Sequence, residues 1–345
     1  MLDLREVLTR PEYKWIEDYR DRLCFITLGG SHAYGTNVEG SDIDVRGVIL
    51  PTVDELIGLK HFEQKMDKET DTTLYEFNKF IKLVSNTNPN VVEMLGASQY
   101  IFFNDIGYEL YQNAKMFISQ KCLYSFAGYA NSQLRRVENA FTHGEVTDEV
   151  RAKRTAEVID VTKVKLADRT AMFSEDEIKV RAEGDHLLWT VNCVDRTTDE
   201  IKDALNTLTD IQRDFTKAGQ RNNKPTEAKL NKHIMHLVRL YHMCFDLLEK
   251  GEINTYRKDD RDFLLEIRNG KFVKDNELTQ EFRDYLNYLE ERLQRDKELN
   301  VIPEKTDYDE INKFVIKTNR KVVTGEYSKM YLYLNKLDDK LELHE

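Results

Sequence analysis

Between Leu23 and Leu28 six consecutive residues, Leu-Cys-Phe-Ile-Thr-Leu, form an almost wholly apolar run that the pair Gly29-Gly30 closes. A short apolar run bounded by glycine predicts a buried strand. Ahead of it, Pro11 to Asp21 has the spacing of an amphipathic helix. Beyond it, a turn-rich patch from Gly35-Thr36-Asn37 to Gly40-Ser41 leads into Asp42 to Leu50, whose alternation predicts a second strand stopping at Pro51. A third strand is expected over Thr70 to Glu76, then a helix over Phe77 to Val84 and another after Asn88-Pro89-Asn90. From about Lys115 the apolar period becomes 3.6 and predicts helices. Leu230, Ile234, Leu237, Val238, Tyr241, Phe245 and Leu248 form one stripe, which Lys250-Gly251 closes as a C-cap signal. The expected fold is α+β: an N-terminal domain with a small mixed β-sheet over 1–112, then a mainly α-helical domain over 113–345. The charged, weakly patterned stretch 144–223 reads as helices or as an insertion.

The chain has 345 residues, of which 40% are hydrophobic, enough to bury a substantial core. No apolar run approaches the ~20 residues needed to span a bilayer. The opening MLDLREVLTRPEYKW lacks the basic flank and apolar stretch of a secretory signal, so a cytoplasmic protein with no membrane partner is expected. Cys24, Cys122, Cys193 and Cys244 are widely separated, which predicts reduced thiols and no structural zinc. A net charge of −11 opposes a general positive field for coating nucleic acid, so RNA or DNA has to be met locally. It does not exclude a nucleotide, because a divalent metal supplies positive charge to a triphosphate.

The chemistry concentrates in Gly29-Gly30-Ser31-His32-Ala33-Tyr34-Gly35 and Ser41-Asp42-Ile43-Asp44-Val45-Arg46. A Gly-Ser pair after a buried strand, opening a short helix, presents N–H groups and a hydroxyl to an anion; Gly30 and Ser31 are the candidate triphosphate cradle. On a strand, Asp42 and Asp44 share one face while Ile43 and Val45 point to the other. Carboxylates held that close call for a cation, and hard oxygen ligands on a rigid element suit Mg²⁺ or Mn²⁺. Two such ions would stabilise the attacking and leaving oxygens of an in-line displacement at an α-phosphate. The expected reaction is nucleotidyl transfer with pyrophosphate release, the metal and an aspartate together easing deprotonation of the acceptor hydroxyl. A third carboxylate comes from Asp71 or Glu76. Asp71 is favoured, because Glu76 stands at a helix start where it suits a cap. Arg46 shares the acids' face and meets a phosphate oxygen, orients a carboxylate or serves as an ion-pair partner. His32, beside the cradle, touches phosphate or packs the turn.

Gly30-Ser31, ten residues, then Asp42-x-Asp44 resembles the signature of the polymerase-β-type nucleotidyltransferase superfamily. The longer string GSHAYGTN…SDIDVRGV is similar, more narrowly, to the predicted nucleotidyltransferases of the YcgL type, also described as the RNA-repair-pathway DNA polymerase β family. Asn88-Pro89-Asn90-Val91-Val92-Glu93-Met94-Leu95, the run Gly128 to Gln133, Lys232 to Leu240 and Ile267-Arg268-Asn269-Gly270 carry the same resemblance, which touches residues 23–137 and 228–270. It implies a polymerase-β-like catalytic domain and a nucleoside triphosphate substrate, with an RNA or tRNA 3′ end as the leading acceptor. Protein or a small molecule as acceptor, or a non-catalytic nucleotide-binding or antitoxin-like module, remain the alternatives.

Opposite the apolar stripe, Lys229, Lys232, His236 and Arg239 stack on one helix face. The resemblance implies that Lys232, His236 and Arg239 bind phosphates or the acceptor backbone; without it the face reads as solvated. The three-residue spacing of His233 and His236 without a third ligand does not make a zinc site. Tyr129 and Gln133, one turn apart, are placed to face a base or to fill the core. Arg268-Asn269-Gly270 reads first as a helix C-cap, with a phosphate contact from Arg268 as the lesser reading.

Overall fold

Strand β1 (Leu23–Leu28) is buried along its whole length and lies inside a seven-stranded mixed sheet, which is why its run carries no alternation. The computed structural model describes residues 2–126, 128, 130, 134, 137, 178–183, 186–191, 194–202, 204–206, 208–209, 212, 226–275, 277–299 and 301–344. These divide into two units, Met1–Val137 with Asn231–Glu345, and Glu138–Leu230. No helix among the described residues is long and apolar enough to cross a membrane.

In chain order the first unit begins with helix α1 (Leu4–Leu8), a 3₁₀ helix over Pro11–Arg22, β1, helix α2 (Gly30–Tyr34), β2 (Val45–Ile49) and α3 (Val53–Ile57). The hairpin β3 (Gln64–Asp67) and β4 (Thr72–Glu76) follows, then α4 (Phe77–Ser85), α5 (Pro89–Leu95), β5 (Gln99–Asn104) and α6 (Asp105–Gln112). In the second unit β6 (Ile178–Glu183) pairs antiparallel with β7 (His186–Val191). Most of 144–223, with Tyr129, Gln133 and Cys193, lies outside the described residues. Helix α7 (Glu227–Phe245) leads into a π turn over Asp246–Lys250, which Gly251 closes in the left-handed conformation. Then come α8 (Arg261–Arg268), the short pair β8 (Val273–Lys274) and β9 (Glu277–Leu278), α9 (Gln280–Asp296), α10 (Tyr308–Thr324), β10 (Lys329–Asn335) and β11 (Lys340–His344).

The sheet order is β11-β10-β5-β1-β2-β4-β3, and the chain is α+β as expected. Only β2 and β4 run parallel; the other neighbours are antiparallel. One face packs Leu4, Val7, Tyr13, Ile16, Ile26, Val45, Ile49, Leu74 and Tyr333 into a single core. The other carries an aromatic cluster in which Phe25, Tyr100 and Phe102 meet Phe80 and Tyr111. The helical stripe predicted on α7 is buried at every one of its positions, from Leu230 to Leu248.

Two expectations need correction. The second strand begins at Val45 rather than Asp42, because the segment Ser41–Asp44 lies beyond the ladder. The region after Lys115 is not helical throughout, since β10 and β11 extend the N-terminal sheet by pairing with β5. Leu332 and Tyr333 of β10 are buried on opposite faces, so an interior strand there shows no alternation.

Leu332→Ala should cost about 2–4 kcal/mol, as core truncations do, whereas Leu341→Ala, 59% exposed on β11, should stay within about 0.5 kcal/mol. Urea unfolding followed by circular dichroism measures both; equal costs would mean that β10 is not an interior strand.

Candidate functional site

Register brings the two halves of the sequence signature together. Leu28, the last residue of β1, pairs with Val45, the first of β2, so the chain leaving one strand lies beside the chain entering the other. The N–H of Gly29 donates to the carbonyl of Asp44 at 2.8 Å. Gly30 has φ +54°, and a Cβ on it would overlap the Asp44 carboxylate. Glycine is therefore required twice at this position, for its backbone conformation and for the room that Asp44 occupies. Alternation along Asp42–Arg46 is as expected: Ile43 and Val45 join the core, while Asp42, Asp44 and Arg46 line a cavity.

The parallel pairing of β2 with β4 sets Arg46 opposite Thr73, and just beyond this ladder the carboxyls of Asp44 and Asp71 interact directly. Asp71 sits in the β3–β4 turn with φ +44° and is exposed. Its carbonyl accepts from a guanidinium N–H of Arg46, and its carboxylate lies 3.5 Å from another nitrogen of the same group. Glu76 is buried at the start of α4, where its carboxylate accepts from the N–H groups of Asn78 and Lys79, both at 2.9 Å. Of the two acids weighed for the third position, Asp71 reaches the cavity and Glu76 caps a helix.

Burial, reinforced by the neighbouring Asp71 carboxyl, pushes the Asp44 carboxyl up to about 6, against the pull of Arg46 and Lys232 in the other direction. The acid lacks enough positive charge around it. Among the described residues no three acid, imidazole or thiol groups enclose a metal by themselves. Mg²⁺ does not require such a cage, since it keeps water and phosphate ligands and takes only one or two carboxylates from the protein. The acids at this cavity fit that mode of binding, with Asp44 and Asp71 as the close pair and Asp42 exposed at the rim.

The cavity, of about 500 Å³, is closed on the other side by Lys232, His233, His236, Arg239 and Arg268. Their states differ. Lys232 is exposed, with its charge felt at Asp44. His236 is held neutral by burial and by the cations Arg239 and Lys232 around it, and its ring meets Tyr34 edge to face. Arg239, which the resemblance implies binds phosphates or the acceptor backbone, lines the cavity but is only 3% exposed. It donates to Glu93 Oε1 at 2.8 Å and lies 3.6 Å over the Tyr34 ring, while the Tyr34 hydroxyl donates to Glu93 Oε2 at 2.5 Å. A guanidinium so engaged joins α2, α5 and α7. His32 is not among the residues lining the cavity; one of its ring nitrogens lies 3.5 Å from the carbonyl of Ser41, which is. Lys229 is exposed on the first turn of α7.

The expected C-cap after α8 is present at Asn269, and Arg268 also lines the cavity while donating to the Thr36 carbonyl at 2.6 Å. Arg261 donates to the Gly35 carbonyl, and the N–H of Arg257 to that of Tyr34. Three successive carbonyls at the negative end of α2 are thus held by donors from 257–268, which fixes the other end of the cradle. A Cβ on Gly35 would come within 2.7 Å of the Tyr256 ring, so this clamp also depends on glycine. Glu93, Tyr34, Tyr75 and Asn90 were given no role by sequence. The available signal was the lone acid in Val91-Val92-Glu93-Met94-Leu95, since a charge within an apolar run has to be paired when buried.

Removing one partner of a buried ion pair costs about 3–5 kcal/mol. Arg239→Ala should therefore lose stability on that scale, and Lys232→Ala should stay within about 0.5 kcal/mol, its ammonium being in solvent. Chemical denaturation of the two variants decides between a structural and a solvated arginine.

The chain matches the RNA repair pathway DNA polymerase beta family over residues 11–317, a span that includes both walls of the cavity. No curated protein and no solved structure matches it. The strand-to-helix turn at Gly29–Ser31, the acids at its mouth and the extent of the match agree: the chain belongs to the RNA repair pathway DNA polymerase beta family.

Proposed function

We propose that this protein is a metal-dependent nucleotidyltransferase that moves a nucleoside monophosphate from a nucleoside triphosphate to an acceptor hydroxyl, the acceptor being an RNA or tRNA 3′ end. The observation that carries the reading is the Asp44 carboxyl, lodged against Gly30 and raised to about 6 beside Asp71, in a cavity whose far wall is cationic. The acceptor rests on the family's description. Mg²⁺ or Mn²⁺ held by Asp42, Asp44 and Asp71 would neutralise charge on the phosphates and acidify the attacking hydroxyl.

The chain's own groups divide the remaining work. The first-turn N–H groups at Gly30 and Ser31, with the Ser31 hydroxyl, are directed at the terminal phosphates. Lys232 and Arg268 face them across the cavity and offset the charge of the departing pyrophosphate. Asp44 and the ion it would hold can together ease loss of the acceptor hydroxyl's proton. Arg46, bound to Asp71, keeps that turn against β2. His32 and Arg239 serve the framework.

Asp42→Asn and Asp44→Asn should each lower incorporation of labelled nucleotide into RNA at least about 100-fold, the scale of losing one preorganised transition-state contact. Gel analysis after incubation with each α-labelled triphosphate reads this out, and full activity of either variant would remove the proposal's basis.

The raised carboxyl also gives a sign to the pH dependence. Between about 4, where an unfolded aspartate titrates, and about 6, the folded chain holds a proton that the unfolded chain has released, so this group's contribution to stability falls as pH rises through that window. A divalent ion needs the deprotonated form. The rise in melting temperature on adding Mg²⁺ should be small near pH 5 and level off above about pH 7 in the native chain. In Asp44→Asn it should be weaker and should lose this pH profile.

A further inference from the structure

The arginines in and behind the cavity differ in what they are bonded to. The guanidinium of Arg239 is taken by Glu93, that of Arg46 by Asp71, and that of Arg257, behind the end of α2, by Asp246 and Asp260. Arg268, the last residue of α8, stands apart from these. It lines the cavity and is half-buried, yet it forms no ion pair among the described residues. A guanidinium carries a fork of several N–H donors, and here the Thr36 carbonyl, at 2.6 Å, takes one of them. Burial pushes its pKa down with no carboxylate to offset the effect. A cation withdrawn from water without an acid beside it is costly, and an oxyanion that meets the rest of the fork removes that cost.

Two contacts set Arg268 away from the acids. Asp44 lies against Gly30 at the start of α2, whereas Arg268 holds the carbonyl of Thr36 beyond the other end of that helix, ~9 Å further along the chain at a rise of ~1.5 Å per residue. The charge around the two ends has opposite signs. His236 is kept neutral by its burial and by Arg239, Lys232 and Arg268 around it, the response of an imidazole to a local excess of cations. At the acid end an anion needs a divalent ion to overcome the carboxylates. At the Arg268 end it does not.

We propose, resting on the nucleotidyltransferase reading above, that Arg268 anchors an anion subsite that works without metal, and that its ligand is the pyrophosphate which the transfer releases. Pyrophosphate carries its charge on terminal oxygens that the fork can engage in pairs, which a single ammonium such as Lys232 cannot do. A product held in this way competes with the incoming triphosphate even where no divalent ion is present.

Isothermal titration calorimetry with pyrophosphate, on the full chain freed of divalent ions over a chelating resin, tests this. The native chain should bind, and Arg268→Gln should bind at least about 10-fold less tightly, the scale of losing charge-assisted hydrogen bonds. Arg268→Lys keeps the charge and a donor for Thr36 but not the fork, so its affinity should lie between the two. Asp44→Asn should bind at least as tightly as the native chain, because a repelling carboxylate has gone.

A native chain that ignores pyrophosphate without metal, or an Arg268→Gln variant that binds like the native chain, overturns the inference and leaves the transfer reading standing. Weaker binding in Asp44→Asn overturns it too, since the acid end would then be holding the anion. A short single-stranded oligoribonucleotide bound through Arg268 where pyrophosphate is not would assign the arginine to the acceptor strand instead. A native chain that binds pyrophosphate but incorporates no labelled nucleotide from any triphosphate sinks the transfer reading, and with it pyrophosphate as a product.

Discussion

The site depends on one steric fact: the carboxylate of Asp44 occupies the space where any residue other than glycine at position 30 would put its Cβ. Two neighbouring strand ends would ordinarily diverge into their loops. Here the Gly29 N–H to Asp44 carbonyl hydrogen bond continues the β1–β2 pairing one step past the ladder and draws the acid onto the first turn of α2. Acid and helix start, ten or more residues apart in sequence, become neighbours without any long side chain having to reach. Short side chains on rigid backbone lose little entropy when fixed, so the arrangement is held in the absence of a ligand.

A second constraint anchors the cradle from behind. Glu93, Tyr34 and Arg239 form a buried group in which each member satisfies another, tying α5 and α7 to the end of α2. The carbonyls of Tyr34, Gly35 and Thr36 are taken by donors from 257–268. A helix of only five residues has little stability of its own. Its position is instead imposed by these neighbours at one end and by the β1–β2 pairing at the other. Arg239 is thereby explained as part of the support, although its place in the sequence, one helical turn from His236, resembles that of a ligand-facing cation.

What the sequence made legible follows from which forces are local. Strand β1 could be read to the residue because a continuous apolar run between Arg22 and Gly29 admits few other fates. The pairing of Asp42 with Asp44 on one face followed from alternation alone, even though the ladder itself starts at Val45. The capping role of Glu76 was legible because helix starts have recognisable signals. Strand β10 was not legible: its neighbour in the sheet is β5, more than two hundred residues earlier, and a strand buried on both faces carries no period-2 signal. The same limit applies to Glu93 and Arg239. Their pairing spans 146 residues, and either charge, taken alone in sequence, reads as a surface group or a ligand contact.

The electrostatics of the cavity make its two walls interdependent. With a net charge of −11 the molecule as a whole repels a polyphosphate, so attraction has to be generated within the cleft. In the proposed reaction Lys232 and Arg268 would supply part of it, and Lys232 also lowers the proton affinity of Asp44. A divalent ion carried in by a nucleotide would do so more strongly, by displacing the Asp44 proton and removing the repulsion from Asp71. In the proposed site deprotonation, ion binding and phosphate binding would therefore favour one another through a single carboxyl. By reciprocity each must be strengthened as much as it strengthens the others. A site with Asp44 fully ionised when empty would bind the ion more readily but would have nothing left to couple. Partial burial against Gly30 raises the carboxyl to about 6, so near that pH an arriving charge can tip its protonation.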